Sequence, residues 1–209
     1  MLYIYGEKHW NSNDVYRKNL RILKRLNLNR DSIVIDAGFH CGEELHYFNN
    51  IGSITHAFEI NRFHCENISE IYKDNERINI YQKAVWIEYC NIDAYEKIGN
   101  PHASMSVISD KHNIDKNISY KVEAIDLSDF ILKLNSRVNL VKMDIEGAEY
   151  HVIEKLIYSG AIDMIDLVLF EDHRGKISKK TSPAWHSKRK EVKAKIKKLK
   201  LHEKFGDWR

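Results

Sequence analysis

A chain of 209 residues with a formal net charge of +3 can bury one good core and is too short for two full-sized ones. Hydrophobic residues at 43%, charged residues at 30% and only two prolines exclude the disordered and fibrous classes. No stretch approaches the ~20 apolar residues that cross a bilayer. Met1 to Trp10 also lacks the basic start and apolar run of a secretory signal, so the chain reads as cytoplasmic, without membrane insertion.

Cys41, Cys65 and Cys90 are odd in number and form no CxxC pair, which supports neither a disulfide framework nor a zinc site. Charge is unevenly spread. Between Arg174 and Lys204, thirteen Lys or Arg residues stand against Glu191 and Glu203, a local +11 that leaves −8 for the rest. An acidic body carries a basic C-terminal segment.

In chain order, Tyr16, Leu20, Leu23 and Leu26 recur at helical spacing and predict a helix over Asn13–Leu26, capped by Ser12. Short apolar runs then alternate with helical stretches: a strand at Ile33–Ile35, a helix at Glu43–Asn49, a strand at His56–Ile60, a helix at Phe63–Lys73 and a strand at Ile78–Gln82. Such alternation predicts right-handed βαβ units and a mainly parallel sheet. Between residues 84 and 125 the pattern is weaker, with strands or loops at Trp86–Tyr95, Met105–Ile108 and Tyr120–Ile125. A helix at Leu127–Leu134, a strand at Val138–Met143, a helix at Ala148–Tyr158 stopped by Gly160, and a strand at Met164–Phe170 follow. Ser182-Pro183 opens a last helix reaching about Leu201, whose Val192, Ile196 and Leu199 form an apolar stripe expected to pack on the sheet. The organisation is one domain: an N-terminal helical extension (1–30), a core (31–173) and a basic C-terminal helix and tail (174–209).

Asp36-Ala37-Gly38-Phe39-His40-Cys41-Gly42 lies between a strand and a helix. Glycines there let the backbone turn tightly and approach a ligand, and the helix start attracts an anion. Glu59 follows 23 residues beyond Asp36, near the end of the next strand, where an acid accepts the hydroxyls of an adenosine ribose. Together they predict a nucleoside-type ligand.

The stretch Val141-Lys142-Met143-Asp144-Ile145-Glu146-Gly147-Ala148-Glu149-Tyr150 resembles the FkbM family of methyltransferases, whose hallmark is a strand running into a K-x-D-x-E-G-A-E turn and helix. Ile35-Asp36-Ala37-Gly38 with Gly42, Phe58-Glu59, and Leu169-Phe170-Glu171-Asp172-His173 are similar to that family's other motifs, so the resemblance covers roughly residues 30–175. Phe39-His40 replaces the family's usual Ala-Asn and Ile60 its usual proline, departures that bear on the methionine pocket.

The resemblance implies a Rossmann-like class I α/β fold, a mainly parallel twisted sheet with helices on both faces. It also implies S-adenosylmethionine as methyl donor and O-methylation of a hydroxyl on a sugar, polysaccharide precursor or other small metabolite. Asp36, Gly38, His40, Gly42, Glu59 and Ala84 are the expected cofactor residues. His102, Ser104, Ser106 and Glu146 are expected to face the acceptor, and His9 and Trp10 to cover the cofactor. An in-line methyl displacement must align donor and acceptor and remove a hydroxyl proton. Asp144 and His173 are the candidates for that proton transfer. The clustered Asp144, Glu146 and Glu171 could instead hold magnesium or another divalent ion. Glu149, in a helix's first turn, is adequately explained by the helix dipole.

Two other functions share some of these features. A nicotinamide-dependent oxidoreductase uses a similar turn and acid, but with G-x-G-x-x-G glycines where position 40 here is histidine. A nucleic-acid-binding module would use the basic tail, against which the acidic body counts. Lys193, Lys197 and Lys200 on that tail are alternatively expected to favour an anionic acceptor. Phe205–Arg209 leaves little room for the antiparallel strand pair that usually finishes such sheets.

Overall fold

Short β-branched runs alternate with amphipathic helices, and the chain folds accordingly; the computed structural model describes residues 14–100 and 104–208. Helix α1 (Asp14–Leu23) leads into β1 (Ile33–Ala37), α2 (Glu43–Ile51), β2 (Ile54–Phe58), α3 (Arg62–Tyr72) and β3 (Ile78–Tyr81). Strands β4 (Ala84–Trp86), β5 (Cys90–Lys97) and β6 (Ile114–Asp126) precede α4 (Leu127–Leu134). The chain finishes with β7 (Val138–Met143), α5 (Glu149–Ser159), β8 (Ile165–Phe170), α6 (Pro183–Lys198) and β9 (Phe205–Asp207).

The main sheet has the order β3-β2-β1-β7-β8-β9, and every pairing in it is parallel. The chain winds outward from β1 to β3, then returns to place β7 against β1 and winds the other way. Between β1 and β7 lies the topological switch point, where open α/β sheets form a crevice beyond the carboxyl ends of their strands. Side chains alternate across the sheet. Ile35, Val141, Met143, Val168 and Phe170 face α4, α5 and α6, whereas Val34, Ala57, Leu140 and Leu169 face α1, α2 and α3. Helices on both faces of a parallel sheet are the expected Rossmann-like arrangement.

Several boundaries differ from the sequence reading. Strand β2 is Ile54–Phe58, not His56–Ile60, because Glu59 turns its carboxylate onto the amides of Ile60 and Asn61 and ends the strand. Helix α1 stops at Leu23, three residues early, and Asn27 adopts a positive φ of 52° in the turn that follows. Ser12 and Asn13 lie outside the described residues. The stretch 84–126 forms a second sheet, β4-β6-β5, whose long β6 is exposed along its middle and so lacks a readable apolar rhythm. Of the stretches read as strand or loop, Met105–Ile108 is a loop carrying only the isolated bridge between Tyr95 and Ser106.

The last helix also departs from expectation. Val192 and Ile196 are buried, but Leu199 is 48% exposed, and the third anchor is Trp185. Trp185 packs edge-on against Tyr150 of α5 and donates Nε1–H to the Gly147 carbonyl at 2.7 Å, so α6 docks on α5 and the turn before it. In place of an antiparallel pair, β9 adds one short parallel strand beside β8, and Trp208 is fully buried among Leu169, Leu140 and their neighbours.

Trp208→Ala is expected to lower the unfolding free energy by about 3–5 kcal/mol, the range for a fully buried aromatic. Leu199→Ala should cost no more than about 0.5 kcal/mol. Denaturant titration of both variants checks the pair, and equal losses would contradict the placement of the two side chains.

Candidate active site

The carboxyl ends of the strands are joined by hydrogen bonds that continue past the strands. Gly38 N–H donates to Phe58 O at 2.8 Å, Asp144 N–H to Ala37 O at 2.9 Å and Glu59 N–H to Tyr81 O at 3.1 Å. Gly38 sits at φ +80°, and a Cβ there would lie 2.0 Å from the Asp144 carbonyl oxygen. Only glycine lets the β1 turn close on β7.

A pocket opens over this junction. Gly38, His40, Phe58, Glu59, Ile60, Lys83, Ala84 and Val85 form one wall, and Ser104, Met105, Val107, Asp144, Ile145 and Glu146 the other. Of the predicted cofactor residues, Gly38, His40, Glu59 and Ala84 line it; Asp36 and Gly42 do not. Of the predicted acceptor residues, Ser104 and Glu146 line it. His102 lies outside the described residues, as do His9 and Trp10. Ser106 is turned away, its hydroxyl donating to Glu146 O at 2.8 Å.

Glu59, 7% exposed, organises the cofactor wall. Its carboxylate accepts from His40 N at 2.9 Å, Ile60 N at 2.8 Å and Asn61 N at 2.9 Å. Burial raises its pKa against the opposing pull of these amides and Lys142. A carboxylate offers about four acceptor positions. Three are filled, which leaves room for one ligand hydroxyl, where the sequence reading assigned it two. His40 holds a left-handed φ of 50°, and its Nδ1 lies 2.8 Å from Cys41 Sγ. Burial pushes the Cys41 thiol up to about 12, so it is no nucleophile.

Asp36 has a different task from the one its motif position suggested. It is fully buried on the α2 side of the sheet, with Lys142 Nζ 2.9 Å from Oδ1. Burial pushes its carboxyl up to about 6, with Lys142 opposing. Burial also works against the Lys142 charge, but Asp36, Glu44 and Asp144 hold that amine above the ordinary lysine value. Lys142 further donates to Gly38 O at 2.7 Å. The pair therefore clamps β1 to β7 behind the pocket. Gly42 caps α2 at φ +75°, where a Cβ would meet Ile68 Cδ1 at 2.6 Å.

On the opposite wall, Asp144 and Glu146 belong to a turn in which Glu146 and Gly147 both have positive φ, 57° and 112°. Glu149, wholly buried, closes that turn by accepting from Ile145 N and Gly147 N, each at 3.0 Å. The residue is thus more than a dipole partner. Its Oε1 also faces His173 Nδ1 at 3.0 Å. His173 Nε2 lies 3.5 Å from Asp144 Oδ1, 3.3 Å from Glu146 Oε2 and 3.5 Å from Glu171 Oε1.

Burial lowers the His173 pKa, but the carboxylates of Glu146 and Glu149 outweigh it and push the imidazole up to about 10. His173 is 1% exposed and does not line the pocket. That departs from its expected part in taking a proton from the acceptor, since it stands behind the pocket wall. Glu171 likewise stands behind the pocket, among these groups.

Lys111 and Lys176 were not anticipated. Lys111 is 3% exposed and pairs with Glu146, while Lys176 Nζ lies 3.3 Å from Glu146 Oε2 and 3.6 Å from Glu171 Oε1. Burial opposes the Glu146 charge, yet His173 and Lys111 hold its carboxyl far below the usual range. Lys111 comes from a stretch without a motif, so no local pattern marks it. Lys176 was counted only as part of the basic tail.

Some of that tail's charges are paired within the fold. Arg189 and Lys193 bind Asp172, and Lys188 binds Glu154. Lys204, just past α6, donates to Ile162 O and Ile165 O at the amino end of β8, so the helix's C-terminal half lies at the edge away from the pocket. Lys193, Lys197 and Lys200 line no part of the pocket. Among the described residues, no helix is long and apolar enough to cross a membrane.

The family described as "Methyltransferase FkbM domain" matches residues 12–208. No curated protein and no solved structure matches the chain.

Lys142→Met would leave Asp36 buried without its partner, which typically costs about 3–5 kcal/mol. Chemical denaturation should show that loss. A change under about 1 kcal/mol, the level of an exposed ion pair, would contradict the clamp.

Proposed function

The chain belongs to the FkbM methyltransferase domain family, and from that premise we propose that it transfers a methyl group from S-adenosylmethionine to a hydroxyl oxygen of a sugar, polysaccharide precursor or other small metabolite. The observation that carries this reading is the pocket at the switch point. It has the glycine turn and ribose acid on one wall and Asp144 on the other.

The residues present fit the methyl donor. Glu59 retains one acceptor position for a ribose hydroxyl, Phe58, Ile60, Ala84 and Val85 offer apolar surface to a nucleobase, and the Gly38–Gly42 turn places the α2 amino end, which favours a carboxylate, beside them. When bound, the donor supplies an electrophilic methyl group. The protein's part is to hold the acceptor oxygen in line and remove its proton. Asp144, at the pocket wall with its backbone fixed by Ala37 O, is the group assigned to that proton. Ser104 and Met105 bound the acceptor side. Family membership weighs against the nicotinamide and the nucleic-acid readings. Lys193, Lys197 and Lys200 line no part of the pocket, so they offer an anionic acceptor no direct contact there.

Glu59→Ala is expected to abolish measurable binding of S-adenosylmethionine by calorimetry while NADH binds neither protein; NADH binding by wild type without S-adenosylmethionine binding overturns the reading. Asp144→Asn should lower turnover by about 10²–10⁴-fold, the usual weight of a general base, and leave donor affinity near wild type. Methyl gain on candidate sugars, followed by mass spectrometry, supplies the assay. A loss of less than tenfold, about 1.4 kcal/mol in barrier, would remove Asp144 from the chemistry.

A further inference from the structure

Behind the acceptor wall, three carboxylates converge on one imidazole nitrogen. Asp144 Oδ1, Glu146 Oε2 and Glu171 Oε1 all lie 3.3–3.5 Å from His173 Nε2. A ring nitrogen carries one proton or one lone pair and can serve one of the three at most. The distances exceed the ~2.7–3.2 Å of a sound N–H···O bond. Nε2, on a side chain 1% exposed, makes no hydrogen bond to any described residue. Ligand atoms of Asp144, Glu146 and His173 fall within 4.8 Å of one another.

The far side of the ring points the same way. Glu149 Oε1 stands 3.0 Å from Nδ1. That contact holds the ring from behind without an aligned hydrogen bond, in the position that outer carboxylates take behind histidine ligands of metals.

We propose that Asp144, Glu146 and His173 bind one divalent cation of the Mn²⁺ type at the acceptor side of the pocket. Carboxylate oxygens suit Mg²⁺ or Mn²⁺, and one imidazole nitrogen shifts the preference toward a first-row transition ion. The role of the ion rests on the methyl-transfer reading, although its binding does not. Held there, it would orient the acceptor hydroxyl and make it more acidic, with the proton still passing to Asp144.

The test is titration of chelator-treated protein with Mn²⁺, following the electron paramagnetic resonance signal of the free ion, alongside calorimetry with S-adenosylmethionine. One ion is expected per chain. Glu149→Gln, which changes the group behind His173 and one of the two acceptors of the 145–147 turn, should weaken Mn²⁺ binding about 10–100-fold. His173→Gln, which removes the ligand outside the pocket wall, should weaken it at least as much. Donor binding by both variants shows that they are folded. Wild type that binds donor but no Mn²⁺, or two folded variants that bind Mn²⁺ as wild type does, overturns the cation site while leaving methyl transfer intact. Mn²⁺ binding without donor binding supports the site and sinks the methyl-transfer reading instead.

Discussion

Asp36 of β1 and Lys142 of β7 are register partners in the parallel sheet, and Lys142 reaches both the Asp36 carboxylate and the Gly38 carbonyl. Neither charge has water to fall back on. A slip of one residue would turn Lys142 to the other face of the sheet and strand Asp36 alone. The same slip would move Gly38 off the Asp144 carbonyl, the contact that leaves no space for a side chain. The two walls of the pocket are therefore aligned by a polar interaction that the ligand need not touch.

This constraint explains what was legible in the sequence and what was not. Apolar strands and capped helices could be read directly: Leu127–Leu134 and Val138–Met143 fall where their patterns place them, because local propensity and burial agree there. The glycine turn, Glu59, Ala84, Asp144 and Glu146 also reach the pocket, since their places at strand ends follow from the alternation. Asp36 was misread because a motif position says where a residue sits along the chain and not which face of the sheet it occupies. Its partner is 106 residues away. Lys111 and Lys176 were missed for a related reason: they enter the site from irregular stretches, whose paths depend on the finished fold.

The turn at 145–147 shows how local strain and site chemistry are coupled. A non-glycine residue in the left-handed region is costly, and Glu146 occupies it beside Gly147. Glu149 supports the strained turn through two backbone amides, Trp185 through the Gly147 carbonyl and Ser106 through the Glu146 carbonyl. Those partners come from α5, α6 and the loop before β6. Each ties a separate part of the fold to the orientation of two pocket carboxylates.

The order of strands has a consequence for how the molecule assembles in time. Strands β1, β2 and β3 are near neighbours in sequence, so the donor wall is built from contacts that close short loops. The β1–β7 pairing joins Ile35 to Val141, and its loop closure must wait for more than half the chain. Long-range parallel pairing is slow. On a ribosome the first wall would emerge well before the second, with the apolar edge of β1 uncovered in the interval. Chaperone demand during synthesis should therefore concentrate on the stretch between β3 and β7.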